Sequence, residues 1–284
     1  MSLNGSDWEI LRAKPAYSRI FGLFRPRISI LGSDVAGQIE AVGTSVRNFQ
    51  PGDEVYGDLF GTFGGFAEYV CGKASKLLHK PASLSFDEAA TLPQGGVIAL
   101  QGLRDFGQLQ QGQHVLINGA GGSSGCFAVQ MAKMYGATVT AVDNGHKTDF
   151  LRSIGADIVI DYTREDFAER DARYDLILDC VAYRSLFDHK RVLKPGGRYL
   201  LVGGSTARLL QVLTVGPLVG LFTSKKMGIL GHHQNNTDIA HVAELCVRGT
   251  IKPIIAARFP LAELRDALRF AGEGRACGKV VISF

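Results

Sequence analysis

The 284-residue sequence predicts an α/β fold, with a doubly wound parallel sheet and a second, smaller, β-rich domain. In the middle of the chain, short apolar runs alternate with helical patterns, as in a parallel sheet that is covered on both faces. The first part of the chain instead carries Gly-rich runs broken by turn residues. The composition, 46% hydrophobic and 20% charged, is that of a globular protein and excludes a disordered or fibrous one.

The amino-terminal part predicts small antiparallel strands. Between residues 32 and 70, the segments AGQIEAVG, PGDEVYG and GGFAEYV alternate apolar with polar residues and are separated by turn residues. At Ser85 the pattern changes, because a serine cap followed by acidic residues in the next turn is typical of a helix start.

Six apolar runs predict the strands of the parallel sheet. They cover residues 114–118, 138–142, 158–160, 176–178, 199–202 and 227–230. After residue 250 the pattern shifts to a helix over residues 261–270 and a closing strand, GKVVISF. We expect this tail to rejoin the amino-terminal part, so that residues 1–84 and 251–284 form one domain and residues 85–250 the other.

Charge, cysteine usage and hydropathy exclude several classes of protein. The net charge of +4 comes from scattered residues, so nucleic-acid binding is not expected. Five cysteines without a CxxC pair predict neither a disulfide framework nor a thiolate zinc site, and they favour a reducing compartment. No secretory signal pattern is visible, and the most apolar stretch, residues 209–223, is shorter than the ~20 residues that a bilayer requires. We therefore expect a cytoplasmic protein without a membrane partner, in which residues 209–223 form a buried or interface helix.

The segment NGAGGSSG, residues 118–125, carries the strongest functional signal. It follows an apolar strand and opens a helix, and three of its glycines stand at GxxGxxG spacing. Glycines allow a tight turn and a close approach of a pyrophosphate, while the helix amides and dipole favour its negative charge. The predicted dinucleotide-binding residues are Gly119, Ala120, Gly121, Gly122, Ser123, Ser124 and Gly125. The alternative is a turn that merely requires positive φ.

The end of the second strand of this unit bears on the choice of coenzyme. Asp143 follows ATVTAV and is placed to accept hydrogen bonds from the ribose hydroxyls, which favours NAD. His146 and Lys147 follow at once, and both are suited to a 2′-phosphate, which favours NADP. The residues alone leave the coenzyme open. They also leave open that Asp143 is a turn residue and Lys147 a solvated charge.

Motifs along nearly the whole chain resemble the medium-chain dehydrogenase/reductase superfamily, in its zinc-independent quinone oxidoreductase-like branch. They are ILGSDVAGQIEAVG, PGDEVYG, GGFAEYV, LPQGGVIALQGL, GAGGSSGCFAVQMAKMYGA, LRSIGADIVIDY, LKPGGRYLLVGG and GKVVISF. The resemblance implies a GroES-like catalytic domain built from both chain ends, a Rossmann domain between them and a nicotinamide coenzyme in the cleft. It also implies a small-molecule substrate and a homodimer, formed at the sheet edge near MGILGHH.

The resemblance also assigns further coenzyme residues. Lys147 and Tyr162 match positions beside the 2′-phosphate, which favours NADP(H) and leaves NAD(H) possible. Asn144 replaces the Ser or Thr often found at its position, and Asp143 departs from the neutral residue of NADPH users. The positions that flank the nicotinamide half are Val181, Val202, Gly203 and Gly204, for which ordinary packing at strand ends is the alternative.

Zinc ligands are missing at the positions where zinc-dependent members carry them. The first loop reads Asn-Gly-Ser-Asp over residues 4–7, and Ser33-Asp34 stands where those members have His-Glu. Tetrahedral zinc requires three or four nitrogen, sulfur or oxygen ligands. We therefore expect no metal. Because an alkoxide then lacks its usual Lewis acid, we expect hydride transfer to a quinone or an activated enone.

Asn4 and Tyr17 are the predicted hydrogen-bond donors to the acceptor, because they match the family's asparagine loop and an aromatic residue near the substrate. The alternatives are a frayed terminus for Asn4 and packing under the segment LFRPR for Tyr17. Relatives carry further residues before this loop, so we expect the first strands of the catalytic domain to be absent. A catalytically silent NADPH-binding module, such as a redox sensor or assembly subunit, therefore remains the alternative function.

Overall fold

The structure is a computed structural model that describes residues 1–22 and 27–284. The described chain divides into two compact units. Residues 1–97 with 233–284 form the β-rich unit, and residues 98–232 form the parallel-sheet unit. These bounds differ from those of the predicted domains, because the helical residues before 98 and after 232 pack with the β-rich unit.

Among its described residues, the first part of the β-rich unit contains three short strands and two α-helices, and a third α-helix begins there and ends in the parallel-sheet unit. They are α1 (Gly5–Arg12), β1 (Asp34–Gln38), β2 (Glu54–Asp58), β3 (Leu77–His79), α2 (Phe86–Thr91) and α3 (Pro93–Gln101). The strands form an antiparallel sheet in which Asp34 lies opposite Asp58. The strand predicted within GGFAEYV is wrong. Phe63 and Gly64 adopt φ values of 55° and 97°, so the chain turns there.

The parallel-sheet unit alternates strands with helices. Its elements are β4 (His114–Asn118), α4 (Ser123–Met134), β5 (Thr138–Asp143), α5 (Thr148–Ser153), β6 (Ile158–Asp161), β7 (Tyr174–Asp179), α6 (Leu186–Val192), β8 (Leu193–Leu201), α7 (Thr206–Phe222) and β9 (Lys226–Ile229). All six predicted strands are confirmed, although β8 begins at Leu193, well before residue 199. Residues 102–106 continue α3 as one π-helical turn.

The strand order of this sheet, β6-β5-β4-β7-β8-β9, positions the candidate site. Every neighbouring pair is parallel. The chain runs outward in one direction through β4, β5 and β6 and in the other through β7, β8 and β9. In sheets of this kind, ligands bind outside the carboxyl ends of the strands where the order reverses. That point lies between the ends of β4 and β7.

The helix predicted for the apolar segment, residues 209–223, is confirmed, because this segment lies in α7 up to Phe222. It buries Val212, Gly216 and Val219 and leaves Leu221 and Phe222 more than three quarters exposed. Within residues 1–22 and 27–284, none of the helices combines the length and apolar character that crossing a bilayer requires.

The last part of the chain completes the β-rich unit. It contains α8 (Asn236–Val247), β10 (Ile255–Pro260), α9 (Leu264–Gly272) and β11 (Lys279–Ser283), and β10 pairs in parallel with β11. Ser2 bridges to both Asp34 and Val281, which joins the two ends of the chain. A core that includes Leu3, Phe66, Leu268, Val280 and Ile282 covers this junction.

Candidate functional site

The glycine loop turns sharply over the end of the neighbouring strand. Gly119 adopts a φ of 79°, and the amides of Gly119 and Ala120 donate to the same carbonyl oxygen, that of Val142, at 2.9 and 3.2 Å. A side chain at Gly119 would lie 3.0 Å from Val181 Cγ1. Positive φ at a close packing contact explains the glycine here.

The start of helix α4 presents amides at the carboxyl edge of the sheet. Its first intrahelical bond runs from the amide of Cys126 to the carbonyl of Gly122 at 3.0 Å, so Ser123, Ser124 and Gly125 precede that bond. A Cβ at Gly125 would overlap the carbonyl of Gly119 and lie 2.7 Å from Ala120 Cα, so only glycine lets the helix begin this close to the loop. Such a helix start favours a phosphate group.

Asp143 and Lys147 lie together beside this loop. One carboxylate oxygen of Asp143 accepts the amide of Gly121 at 2.8 Å, and the other lies 3.1 Å from the ammonium nitrogen of Lys147. The side chain of Lys147 is only 4% exposed, so the alternative of a solvated charge is wrong.

The remaining residues predicted for the adenosine half lie at the ends of β5 and β6. Asn144 Oδ1 accepts the amide of His146 at 3.3 Å, and the ring of Tyr162 is exposed. A polar surface depression of about 500 Å³ opens there, lined by Asn144, Gly145, His146, Thr148, Val159, Asp161, Thr163, Arg164 and Glu165. Its hydrophilic lining suits a polar group better than an apolar one.

The residues predicted for the nicotinamide half come together at the ends of β7 and β8. Val181 packs against Gly119, and a Cβ at Gly204 would lie 2.8 Å from the carbonyl oxygen of Val181. The amide of Val202 donates to the carbonyl of Asp179 at 2.9 Å. Gly203, between Val202 and Gly204, is partly exposed. The structure therefore gathers Val181, Val202, Gly203 and Gly204 on the β7 side of the loop, away from Asp143 at the end of β5.

Asp179, which no sequence pattern indicated, supports the residues predicted for the nicotinamide half. It is fully buried and accepts the amide of Ala182 and the side-chain amide of Asn118, each at 2.8 Å, and the hydroxyl of Tyr199 at 3.0 Å. His189 Nε2 lies 3.1 Å from its second oxygen, close enough for an ion pair although not at hydrogen-bond angles. Burial alone would raise the pKa of Asp179, but His189 and these donors outweigh burial and lower it.

In the β-rich unit, Asn4 belongs to a buried polar cluster. The backbone amide of Asn4 donates to Asp7 Oδ2 at 2.9 Å, and the other carboxylate oxygen of Asp7 accepts a hydrogen bond from the backbone amide of Gly32 at 3.0 Å. Asn4 is 5% exposed and precedes α1, so it is not a frayed terminus. Burial raises the pKa of Asp7 to about 6.

Lys279 fixes the side-chain amide of Asn4. Its ammonium, which is fully buried, donates to Asn4 Oδ1 at 2.6 Å and to Asp34 Oδ2 at 3.0 Å. Since ammonium only donates, Asn4 must direct its oxygen toward Lys279, and its nitrogen then donates to Ser33 Oγ at 3.3 Å. No sequence pattern pointed to Lys279, which is 275 residues away from Asn4.

Tyr17 lies in a short 3₁₀ helix, Ala16–Phe21, and donates its hydroxyl hydrogen to Glu9 Oε2 at 3.1 Å. Burial raises the pKa of Glu9. The alternative packing of Tyr17 under LFRPR involves residues 23–26, which lie outside the described residues.

The fold and these sites define a two-unit protein with a dinucleotide-type glycine loop. Its residues 1–82 match the family model described as alcohol dehydrogenase GroES-like domain, and residues 154–282 match the one described as zinc-binding dehydrogenase. The chain belongs to the medium-chain dehydrogenase/reductase superfamily. It is thus an oxidoreductase with a Rossmann-like unit and a GroES-like unit.

Individual relatives support the quinone oxidoreductase-like branch. The chain is 32% identical over 281 residues to the 2-methylene-furan-3-one reductase of Solanum lycopersicum, covering 94% of this chain and 67% of that protein. It is 32% identical over 276 residues to the mitochondrial NAD(P)H oxidoreductase RTN4IP1 of Mus musculus, covering 89% and 70%. The solved quinone oxidoreductase of Coxiella burnetii is similar, with 28% identity, a TM-score of 0.88, and coverage of 100% and 87%.

The zinc that the second family description implies does not fit the residues present. Asn4, Ser33 and Asp34 stand where zinc-dependent members have ligands, and these three side chains are bound to one another or to Lys279. Within the part of the chain that the structure describes, no group of three or more His, Cys, Asp or Glu side chains is placed to hold a metal ion. A buried ammonium at this position would repel a cation.

Proposed function

We propose that this protein is a zinc-independent oxidoreductase that uses NADP(H) in preference to NAD(H) and reduces a quinone or an activated enone. One observation carries the proposal. The amides of Ser123, Ser124 and Gly125 stand at the reversal point of a parallel sheet, with Lys147 on one side and Val181 on the other. This arrangement suits a dinucleotide whose diphosphate lies at the start of α4.

Each half of the coenzyme has candidate partners in the parallel-sheet unit. The amides at the start of α4 bind the diphosphate, Lys147 and Tyr162 take the 2′-phosphate, and Val181 and Gly204 flank the nicotinamide with backbone groups. A reduced nicotinamide, when bound, supplies the hydride. The contribution of these residues is to hold both ends of the coenzyme in one orientation, which lowers the entropic cost of reaching the transition state.

The polar cluster of the β-rich unit supports this acceptor class. Without a Lewis acid, oxidation of an alcohol lacks a means to stabilise the alkoxide, whereas a quinone or enone is already polarised. Asn4 and Tyr17 are the donors proposed to meet the charge that develops on the acceptor oxygen. The names of the relatives, a furanone reductase and a quinone oxidoreductase, support the same two acceptor classes.

A second function is favoured by one specific observation. Asn4 is 5% exposed and already hydrogen-bonded to Ser33 and Lys279, and the hydroxyl of Tyr17 is bonded to Glu9. Donors that are engaged inside the protein are less available to a substrate. The alternative is a coenzyme-binding module without catalytic activity, acting as a redox sensor or an assembly subunit.

Steady-state oxidation of NADPH separates the two functions. The acceptors are 1,4-benzoquinone, 9,10-phenanthrenequinone and an enone, and a direct NADPH titration accompanies them. Turnover with at least one acceptor supports the oxidoreductase, whereas binding without turnover on any of them supports the silent module. A lack of binding overturns both.

Zinc independence has its own test. Metal analysis of the purified protein is expected to find far less than one zinc per chain, and a chelator is expected to leave turnover unchanged. Stoichiometric zinc, with loss of turnover on chelation, would contradict the proposal.

We also propose a cytoplasmic homodimer. Strand β9 lies at the end of the sheet order, and such edge strands are available for pairing with another copy. Sedimentation is expected to give twice the chain mass, and a monomeric profile would remove the dimer. Activity recovered only in a membrane or organelle fraction would contradict the compartment.

A further inference from the structure

The ion pair between Asp143 and Lys147 is nearly sealed from solvent. Oδ1 of Asp143 lies 3.1 Å from Nζ of Lys147, and the two side chains are 10% and 4% exposed. Lys147 extends over the glycine loop, because a Cβ at Gly121 would lie 2.6 Å from its Cδ and 3.4 Å from its Nζ. The ammonium is therefore held beside the loop that receives the coenzyme.

Asp143 ends strand β5, a position from which a carboxylate often accepts hydrogen bonds from the adenosine ribose. In this chain three donors of the protein already approach it. They are the amide of Gly121 at 2.8 Å, the amide of Asn144 at 2.8 Å and the ammonium of Lys147. Since a carboxylate has about four acceptor sites, most of its capacity is used inside the protein. This leaves Asp143 a poor ligand for ribose hydroxyls.

The pair also changes the charge that a coenzyme meets. An unpaired carboxylate at this position would repel a 2′-phosphate, whereas the ion pair has no net charge. An ammonium has three N–H donors, and the contact with Asp143 requires only one. Two N–H groups therefore remain for a phosphate oxygen that approaches the exposed 4% of Lys147, while Asp143 holds the ammonium in place.

We infer that Asp143 is a positioning residue that sets coenzyme preference through Lys147. It anchors the ammonium beside Gly121 and, once paired, does not repel the 2′-phosphate, so the pair together favours NADP(H). The inference rests on the proposed function, and it replaces the hypothesis in which Asp143 selects NAD by contact with the ribose.

A double-mutant cycle with Asp143→Asn and Lys147→Met tests this role. Dissociation constants are measured by equilibrium titration with NADPH, NADH, 2′,5′-ADP and 5′-AMP, and a thermal melt checks that each variant is folded. With Lys147 present, Asp143→Asn is expected to weaken NADPH binding ~3- to 10-fold, because the ammonium loses its anchor. With Lys147→Met, the same substitution is expected to strengthen NADPH binding ~3- to 10-fold, because it removes an unpaired carboxylate. The 2′,5′-ADP constants are expected to follow NADPH, and NADH and 5′-AMP to change little.

Asp143→Asn is thus expected to weaken NADPH binding when Lys147 is present and to strengthen it in the Lys147→Met background. A merely structural role of Asp143 would not produce this reversal. Asp149→Asn removes an equal charge from a fully exposed side chain on α5, and its effect is expected to be the same in both backgrounds. If Lys147→Met does not fold, Lys147→Arg is used instead. This variant is expected to keep the preference for NADPH, and Asp143→Asn is expected to weaken NADPH binding in its background as well. The inference is overturned if the effects of the two substitutions on NADPH binding are additive, or if Asp143→Asn weakens NADH binding more than NADPH binding. Either result leaves the proposed function standing. A wild-type protein that binds neither coenzyme would overturn the proposed function with it.

Discussion

The ammonium of Lys279 lies 3.0 Å from the carboxylate of Asp34, and both side chains are fully buried. Desolvating two charges is costly, and removal of one partner leaves the other charge buried and unpaired. The pair joins β11 to β1, so it also connects the two ends of the chain within the β-rich unit.

Lys279→Met is therefore expected to lower the free energy of unfolding by about 3–5 kcal/mol in urea denaturation. The control is Arg258→Met, which removes a partly exposed pair with Asp87 and is expected to cost about 0–1 kcal/mol. Equal costs for the two variants would show that burial of the Lys279 pair does not matter for stability.

Two buried tyrosines offer a matched test of the network around Asp179. The hydroxyl of Tyr199 donates to Asp179 at 3.0 Å. The hydroxyl of Tyr174, also buried, has no partner at normal hydrogen-bond geometry within the described residues, although Thr140 is near. Tyr199→Phe is expected to cost about 1.5–3 kcal/mol of unfolding free energy, and Tyr174→Phe less than about 0.5 kcal/mol. A greater loss for Tyr174→Phe would contradict the assigned network.

Gly125→Ala tests the close approach of α4 to the glycine loop. The added methyl group would meet the backbone of Gly119 and Ala120, which cannot move aside as a side chain can. We expect a loss of about 1–3 kcal/mol of stability and at least ~10-fold weaker NADPH binding in equilibrium titration. Gly228→Ala in β9 meets no atom within 4 Å and is expected to change neither quantity. NADPH affinity that survives Gly125→Ala would place the coenzyme elsewhere.

Asp58 predicts a specific dependence of stability on pH. Burial, with a further contribution from Asp34, raises the pKa of Asp58 from 3.8 to about 7. The native state therefore keeps a proton that the unfolded chain releases, and stability is lost as pH rises from about 4 to about 7.

Asp58→Asn removes this loss, since an amide does not ionise and still accepts the amide of Phe60. The variant is expected to gain about 1–3 kcal/mol relative to the wild type between pH 5 and pH 8 in urea denaturation. Glu40→Gln, an exposed change in the same unit, is the control. If the difference in unfolding free energy between Asp58→Asn and the wild type is the same at pH 5 and at pH 8, the raised pKa of Asp58 is contradicted.

The parallel sheet could be predicted from the sequence because its strands are short apolar runs between turn residues. The strand in GGFAEYV could not be excluded, because its apolar alternation is real and only the backbone turn at Phe63 and Gly64 interrupts it. The start of β8 was missed because Lys194, Pro195 and Gly196 carry no strand pattern.

The glycine loop could be recognised because its function depends on consecutive residues. Lys279 and Asp179 could not, because their roles depend on partners far away in the sequence, such as Asn4 and Asn118. Lys147 was identified as a candidate, but its burial against Asp143 depends on the direction of one side chain, which spacing does not reveal.

The central claim is that the diphosphate of a nicotinamide coenzyme binds at the start of α4. A crystal structure of the protein grown with NADPH tests it most directly. We predict diphosphate oxygens within hydrogen-bond distance of the amides of Ser123 and Ser124, with the 2′-phosphate at Lys147. A coenzyme bound away from these amides, or a neighbouring side chain in the place of the diphosphate at saturating NADPH, would contradict the account.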